Sequence, residues 1–404
     1  MTMNTARPWI RHYEEGVPSS LAYPDQPLQH FLEAAARAHP DRVATVFFKG
    51  KLTYAQLNAQ ADRFAAGLQS LGVKAGDRVA VFLPNSPQFI IAFYGALKAG
   101  AVVVPTNPLY TADELARQVN DSGADTLVCL SRFWSTVDAA RKTMKPKNII
   151  VTSIKDYFPA LTKLLFTLAR EKKDGHRADL PVDPGVRRWA DLMSAAPARP
   201  APISRAPSDL AVLQYTGGTT GVPKGAMLSH GNLVSNALMV KSWSKARDAQ
   251  EIMLGVIPFF HVYGLTVGMN MSVASAASMV LLPRFDLVDV LRTIDKERPT
   301  LFPGVPTMYI AINNHKNIKD YDLRSIRACI SGAAPLPLSG EWLLHAGTPR
   351  SAEAPRPPTP PAAQRDPALT FRAWGAMYDG MVAPFVPYAA RGVIWYQGES
   401  NEDG

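Results

Sequence analysis

One short stretch of the chain combines the residue types that bind phosphate groups. Residues 216–225 contain four glycines, three threonines and one lysine. Glycine lets a backbone approach a charged ligand closely, and threonine hydroxyls and a lysine ammonium group can bind phosphate oxygens. The Walker A pattern requires Gly-Lys followed by serine or threonine, whereas Lys224 lies between Pro223 and Gly225. The stretch therefore indicates a nucleotide-binding loop that is not a Walker A loop.

Apolar segments on both sides hold the ends of this loop. Residues 210–215 and 226–229 are each predicted to form a buried strand. The alternative is a flexible surface loop between two strands, because glycine-rich loops are common. The two flanking strands favour the ligand-binding interpretation.

Residues 215–233 resemble the signature loop of AMP-forming acyl-CoA synthetases, which belong to the adenylate-forming superfamily. The resemblance implies that the loop binds the phosphates of ATP and that Thr216 assists Mg²⁺. It also implies that Lys224 neutralises phosphate charge during catalysis. The residues that would line the phosphates are Gly217, Gly218, Thr219, Thr220 and Gly221.

A second marker is a histidine between aromatic residues, His261, within residues 258–265. By itself, such a histidine is more often a hydrogen-bonded core residue. Its position after the phosphate loop resembles the acyl-pocket motif of the same family. The resemblance implies that His261 is catalytic and orients the acyl carboxylate toward the α-phosphate.

A third marker is the run of small residues at 331–337, which follows a predicted strand. Small residues at the carboxyl end of a strand fit the ligand crevice of an open parallel sheet. An ordinary turn between a strand and a helix is the alternative. The family resemblance implies that this turn packs against adenine through Gly332, Ala333, Ala334 and Pro335.

Short apolar strands alternate with helices along most of the chain, which predicts an α/β fold of mostly parallel sheets layered with helices. A capping box at Thr53 opens one predicted helix, Ser86 and Pro87 open another, and Gly72 and Gly100 end them. Strands are predicted at residues 79–83, 101–105, 126–130, 148–152, 279–282 and 328–330. The family resemblance covers roughly residues 9–338, and it implies the large N-terminal domain of the adenylate-forming fold. Residues 9–16 and 155–177 are most similar to the bacterial long-chain fatty-acid branch.

The composition fits a protein of the reducing cytoplasm, because two cysteines are too few for a disulfide framework and residues 1–13 lack the apolar segment of a secretory signal. Residues 252–283 contain no charged side chain, but proline and polar residues favour a buried strand and helix over a membrane span. The net charge is +9, and residues 132–179 hold eleven basic against five acidic side chains. A solvated surface explains this excess, and weak peripheral contact with an anionic inner membrane face is the second interpretation. Nucleic-acid binding is not indicated, because no recognisable module interleaves aromatic and basic residues.

Later motifs of the family are missing from these residues. The family's magnesium-binding Tyr-Gly-x-Thr-Glu motif is absent, and Tyr263-Gly264-Leu265-Thr266 is a decoy because Val267 replaces the glutamate. No Thr-Gly-Asp tripeptide occurs, and no lysine follows Lys319. We therefore expect an incomplete N-terminal domain at residues 1–340, with ATP, fatty acid and CoA as the family's substrates and impaired turnover. Acyl chain length and oligomeric state stay open.

Residues 341–404 differ from the preceding chain in composition and in the family they resemble. Residues 341–368 are predicted to be a proline-rich linker, and residues 369–404 a short α/β fragment. Residues 378–385 and 392–401 resemble sialate O-acetylesterases of the SGNH hydrolase type, although the nucleophile and base segments are missing. The alternative functions are a carbohydrate esterase and a non-catalytic nucleotide- or acyl-binding protein. A third alternative is a fusion or assembly error joined between Pro337 and Leu369.

Overall fold

A computed structural model describes residues 10, 13–216, 223–332 and 394–396. Its strands form two sheets. The strands are β1 (Val43–Phe47), β2 (Gly50–Thr53), β3 (Arg78–Phe82), β4 (Val102–Pro105), β5 (Ala124–Leu130), β6 (Asn148–Thr152), β7 (Val186–Arg188), β8 (Leu210–Thr216), β9 (Lys224–Ser229), β10 (Ile252–Gly255), β11 (Ser278–Leu281), β12 (Leu301–Gly304), β13 (Ala328–Gly332) and β14 (Ile394–Tyr396).

Both sheets are mostly parallel, as the alternating strands and helices predict. The first sheet has the order β7-β6-β5-β3-β4-β8-β9, and only β8 and β9 pair antiparallel. The second has the order β14-β13-β12-β10-β11-β1-β2, with β1 and β2 antiparallel. Each sheet thus has one antiparallel hairpin at an edge, and the first of these hairpins carries the predicted phosphate loop.

The helices cover and separate the sheets. They are α1 (His30–Ala38), α2 (Tyr54–Ser70), α3 (Pro87–Lys98), α4 (Ala112–Ser122), α5 (Trp134–Ala140), α6 (Ala160–Ala169), α7 (Trp189–Ala195), α8 (His230–Trp243), α9 (Met271–Ala274), α10 (Leu287–Glu297) and α11 (Pro306–Asn313). Every residue of α3 is buried, and its side chains join one apolar core with residues of both sheets. The two sheets are therefore packed together through this core.

The helix boundaries follow the local signals in the sequence. The Thr53 hydroxyl accepts the Gln56 backbone N–H at the start of α2, and the Ser86 hydroxyl accepts that of Phe89 at the start of α3. Gly72 and Gly100 follow the two helices at positive φ, a conformation that glycine adopts without steric cost. The predicted starts and stops of α2 and α3 are confirmed.

The uncharged segment at residues 252–283 is divided among several elements. It contains β10, a loop, a π-helix at Gly264–Asn270, α9 and β11. The prediction of a buried strand and helix is confirmed. In the part of the chain that the structure describes, no helix combines the length and apolar character needed to cross a bilayer.

A buried carboxylate joins the ends of several elements of the second sheet. Glu251, just before β10, is fully buried and accepts hydrogen bonds from Arg247 at 2.8 Å and Arg327 at 3.0 Å. The Thr300 hydroxyl donates a further hydrogen bond to it. Burial opposes ionisation, but these donors together lower the pKa of Glu251. The carboxylate is therefore charged in the folded protein and joins the segment after α8 to the starts of β10, β12 and β13.

The linker predicted at 341–368 lies outside the described residues, as does most of the predicted fragment at 369–404. The exception is the backbone of Ile394–Tyr396, which forms β14 and pairs parallel to β13.

Candidate functional site

The predicted phosphate loop connects the two strands of an edge hairpin. β8 and β9 pair so that Thr216 lies opposite Lys224 and Tyr215 opposite Gly225. Residues 217–222, which include the predicted phosphate-lining residues Gly217, Gly218, Thr219, Thr220 and Gly221, lie outside the described residues, as does the Thr216 side chain. β9 begins two residues earlier than predicted, so Lys224 is the first residue of a strand rather than part of the loop.

The hairpin is anchored to helix α4 through Tyr215. A Cβ atom on Gly225 would lie 3.2 Å from the Tyr215 ring, so only a residue without a side chain fits there comfortably. The Tyr215 hydroxyl donates to Asp121 on α4 at 2.5 Å. Burial and this carboxylate raise the pKa of Tyr215, so its hydroxyl stays protonated as the donor. The base of the phosphate loop is therefore fixed relative to α4.

The hairpin is also joined to the segment that contains His261. Gln214 on β8 is buried, and its side-chain N–H donates to the Phe260 carbonyl oxygen at 3.0 Å. His261 follows directly, is half-buried, and accepts the Tyr263 backbone N–H at Nδ1 with a distance of 3.3 Å. The structure thus brings strand β8, which leads into the predicted phosphate loop, next to the segment of the predicted acyl-pocket histidine.

A buried asparagine shapes the turn that carries His261. Asn85 follows β3 in the first sheet, and its side-chain N–H groups donate to the carbonyl oxygens of Gly255 at 3.0 Å and Ile257 at 2.8 Å. Its carbonyl oxygen accepts the Phe259 N–H at 2.8 Å. One side chain thus satisfies three backbone groups of the neighbouring sheet. Sequence reasoning missed this residue, because its partners are 170 or more positions away.

The predicted adenine turn begins next to the same segment. Gly332 ends β13, and a Cβ atom there would lie 3.0 Å from the Tyr263 ring. The Tyr263 hydroxyl donates to the Ile330 carbonyl oxygen at 2.5 Å and lies 3.3 Å from that of Gly304. Ala333, Ala334 and Pro335 lie outside the described residues. Tyr263 therefore links the His261 segment to the ends of β12 and β13.

Three neighbouring parallel strands end in glycine on this side of the second sheet. They are β10, β12 and β13, which end at Gly255, Gly304 and Gly332. Ligands of open α/β sheets bind in the crevice at the carboxyl ends of the strands. The three glycines allow the side chains of Leu281, Tyr309 and Tyr263 to pack closely against these strand ends. The π-helix that contains Thr266 is entirely buried.

The charges of the site come from few side chains. Lys224 is exposed and forms no ion pair with any residue of the described ranges 13–216 and 223–332. Within those ranges, no cluster of three or more His, Cys, Asp or Glu side chains is arranged to hold a metal ion. Mg²⁺ is commonly bound by one or two protein groups together with substrate phosphates.

Comparisons with known proteins agree with this arrangement. A protein-family model described as AMP-binding enzyme matches residues 32–348. The long-chain-fatty-acid–CoA ligase of Bacillus subtilis (strain 168) is 40% identical over 339 residues, which cover 83% of this chain and 60% of that protein. The corresponding ligase of Haemophilus influenzae is 34% identical and covers 80% of this chain and 59% of its own length. The chain thus spans about 60% of the length of these relatives.

Solved structures show the same fold. A long-chain-fatty-acid–CoA ligase from Archaeoglobus fulgidus superposes with a TM-score of 0.67 at 24% identity, covering 81% of this chain and 61% of that one. ATP-bound MatB from Rhodopseudomonas palustris gives a TM-score of 0.60 at 29% identity, covering 77% and 56%. The mostly parallel, helix-layered fold is confirmed.

The comparisons give no support to the resemblance between the tail and sialate O-acetylesterases, and the family model ends at residue 348. The family model matches most of the sequence, and relatives are up to 40% identical to it. The chain therefore belongs to the AMP-binding enzyme family.

Proposed function

We propose that this chain forms the nucleotide- and acyl-binding part of an AMP-forming ligase that acts on long-chain fatty acids. In the reaction, the fatty-acid carboxylate attacks the α-phosphate of ATP, which releases pyrophosphate and forms acyl-AMP. The thiol of CoA then displaces AMP to give acyl-CoA. The observation that carries the proposal is that the β8–β9 hairpin, the His261 segment and the glycine-ended strands lie next to one another.

The hairpin supplies the proposed phosphate site. The Lys224 ammonium group lies at the start of β9, directly across from Thr216, and the described residues offer it no carboxylate partner. A cation without an internal partner is free to neutralise the charge that develops on departing pyrophosphate. Thr216 would contribute a hydroxyl to Mg²⁺, which would shield the phosphate charge. The loop backbone between them would contact the phosphate oxygens.

The His261 segment supplies the proposed acyl site. The Nδ1 atom of His261 accepts the Tyr263 backbone N–H, which fixes the orientation of the imidazole ring within the segment. Phe259 is buried and Phe260 half-buried beside it, so an apolar chain would find apolar surface close to His261. Gly332 and the turn that follows would receive adenine.

Nucleotide binding by a lysine variant tests the proposal. We expect Lys224→Ala to weaken ATP binding by about tenfold to a hundredfold, because a hydrogen bond to a charged group contributes roughly 1.5–3 kcal/mol. Lys142→Ala is the matched control, because Lys142 is also exposed and has no ion pair in the described part of the chain. Isothermal titration calorimetry would measure both affinities. Equal ATP affinity in the two variants would contradict the assignment of Lys224.

Turnover is a separate measurement. The 404 residues lack the Tyr-Gly-x-Thr-Glu and Thr-Gly-Asp motifs and any lysine after Lys319. Oriented charges and metal sites each contribute several kcal/mol to such chemistry. We therefore expect these 404 residues, purified by themselves, to bind ATP and fatty acid with little pyrophosphate release. Rapid pyrophosphate release would show that the residues present are sufficient.

A further inference from the structure

Helix α6 presents a stripe of leucines to solvent. The side chains of Leu161, Leu164, Leu165 and Leu168 are 69%, 55%, 58% and 77% exposed, and no residue of the helix is buried. Their spacing of i, i+3, i+4 and i+7 places them on one face of the helix. Such a face ordinarily points into a protein core. Contiguous apolar surface that is exposed instead marks a site of interaction with another surface.

The helix is fixed to the fold through its opposite face. The Phe166 ring contacts the rings of Phe158 and His176 with centroid distances of 5.4 and 5.3 Å. Lys155, which precedes α6, donates to Thr167 at 3.0 Å and pairs with Glu171 at 2.7 Å. These contacts link the segment before the helix to its last turn. The leucine stripe therefore belongs to an ordered helix whose packed side is already occupied.

A neighbouring turn packs against the segment that precedes α6. Phe48, in the turn between β1 and β2, has its ring centroid 4.8 Å from that of Phe158. A Cβ atom on Gly50 would overlap the Tyr157 carbonyl oxygen, so the hairpin is pressed against this segment. We call the four exposed leucines the α6 patch.

Basic side chains lie at one end of the α6 patch. Lys172 and Lys173 follow the end of the helix. Both are exposed and have no ion pair within the described ranges of the chain, whereas Arg170 is paired with Asp174 at 3.7 Å. Unpaired lysines beside exposed leucines are complementary to an anionic lipid surface, which has negative headgroups outside and apolar acyl chains beneath them.

We propose that the α6 patch docks this protein on an anionic phospholipid bilayer. The leucines enter the boundary between headgroups and acyl chains, with α6 parallel to the membrane plane. Lys172 and Lys173 contact lipid phosphates. The proposal does not depend on the ligase function, because none of these residues belongs to the candidate site.

Vesicle co-sedimentation of the full 404-residue chain tests the proposal. We expect binding to vesicles of phosphatidylcholine mixed with phosphatidylglycerol, a decrease in binding as salt is raised, and weak binding to phosphatidylcholine alone. Equal binding of the wild type to the two vesicle types at low salt would overturn the proposal.

Two sets of variants separate the apolar and electrostatic contributions. L164S/L168S should weaken binding to anionic vesicles by about tenfold or more, because two leucines no longer enter the bilayer. K172E/K173E should abolish the preference for anionic lipid without touching the packed side of the helix. Leu109→Ser is the control, because Leu109 is 80% exposed outside the α6 patch.

Thermal unfolding of each variant should match the wild type, because all the substituted side chains are exposed. Unchanged vesicle binding by both L164S/L168S and K172E/K173E would overturn the proposal. A wild-type dimer that L164S/L168S converts to a monomer, with vesicle binding unaffected, would overturn it in favour of a second copy of the chain as the occupant.

Discussion

Acid should weaken the junction between the phosphate hairpin and the helix that follows it. His230 is the first residue of α8, directly after β9, and its side chain is 1% exposed. Its Nδ1 atom accepts the Leu28 backbone N–H at 3.2 Å, which requires a neutral ring. Protonation would turn this acceptor into a donor that faces another donor. We therefore predict that protonation of His230 lowers the free energy of unfolding at acidic pH.

The size of the effect follows from the pKa of the buried ring. Burial, assisted by the positive charge of Arg205 and opposed by Asp209, lowers the pKa of His230 from 6.5 to about 4. A histidine whose pKa is lowered by folding contributes stability that is complete above pH 6.5 and is lost as the pH falls toward 4. The difference of about 2.5 pKa units corresponds to roughly 3 kcal/mol over this interval.

The assay compares urea unfolding of the wild type with that of His230→Asn between about pH 7 and about pH 4.5. The asparagine side-chain oxygen can accept the Leu28 N–H but does not titrate. The variant has a lower stability at every pH because asparagine is smaller. Carboxylates titrate equally in both proteins, so the wild type should lose on average about 1 kcal/mol more per pH unit than the variant. Identical slopes in the two proteins would refute the assignment of the acid sensitivity to His230.

Two further substitutions test buried polar side chains of the fold. Glu251→Ala should lower the free energy of unfolding by about 1–3 kcal/mol, because the Thr300 hydroxyl and the partly exposed Arg247 and Arg327 lose their buried acceptor; denaturant unfolding measures the loss. Asn85→Ala should cost about 2–4 kcal/mol through three lost hydrogen bonds and should also weaken ATP binding, because the turn before His261 loses its buried partner; calorimetry measures the affinity. A Glu251→Ala midpoint equal to the wild-type midpoint would contradict the buried-charge argument. Wild-type ATP affinity in a folded Asn85→Ala variant would show that the turn is positioned without this residue.

The features that the sequence predicted well are those set by neighbouring residues. The capping box at Thr53 and the Ser86-Pro87 start of α3 could be read directly, since both depend on side chains within three positions of the helix start. The strand predicted at residues 148–152 has the bounds of β6. The threonine, glycine and lysine content of the phosphate loop was equally visible, because it is a property of consecutive residues.

The contacts that assemble the candidate site were not visible in the sequence. Asn85 appeared only as the residue before a helix cap, and nothing nearby indicated that it would hold a turn 170 or more positions away. Gln214 was one polar residue in an apolar strand, although it connects the hairpin to Phe260. Tyr263 belonged to a misleading motif, although its ring fits against Gly332. Each was undetectable for the same reason, which is that its partners are brought near only by folding.

The sequence by itself determined the local elements, the composition of the phosphate loop and the family to which the chain belongs, because backbone preferences and motifs depend on adjacent residues. The tertiary structure alone decided that β8 and β9 form an edge hairpin, that the His261 segment and the ends of β12 and β13 lie together, and that the leucines of α6 point outward. Apolar periodicity shows that a helix has an apolar face, but only the packing of the other elements determines whether that face is covered.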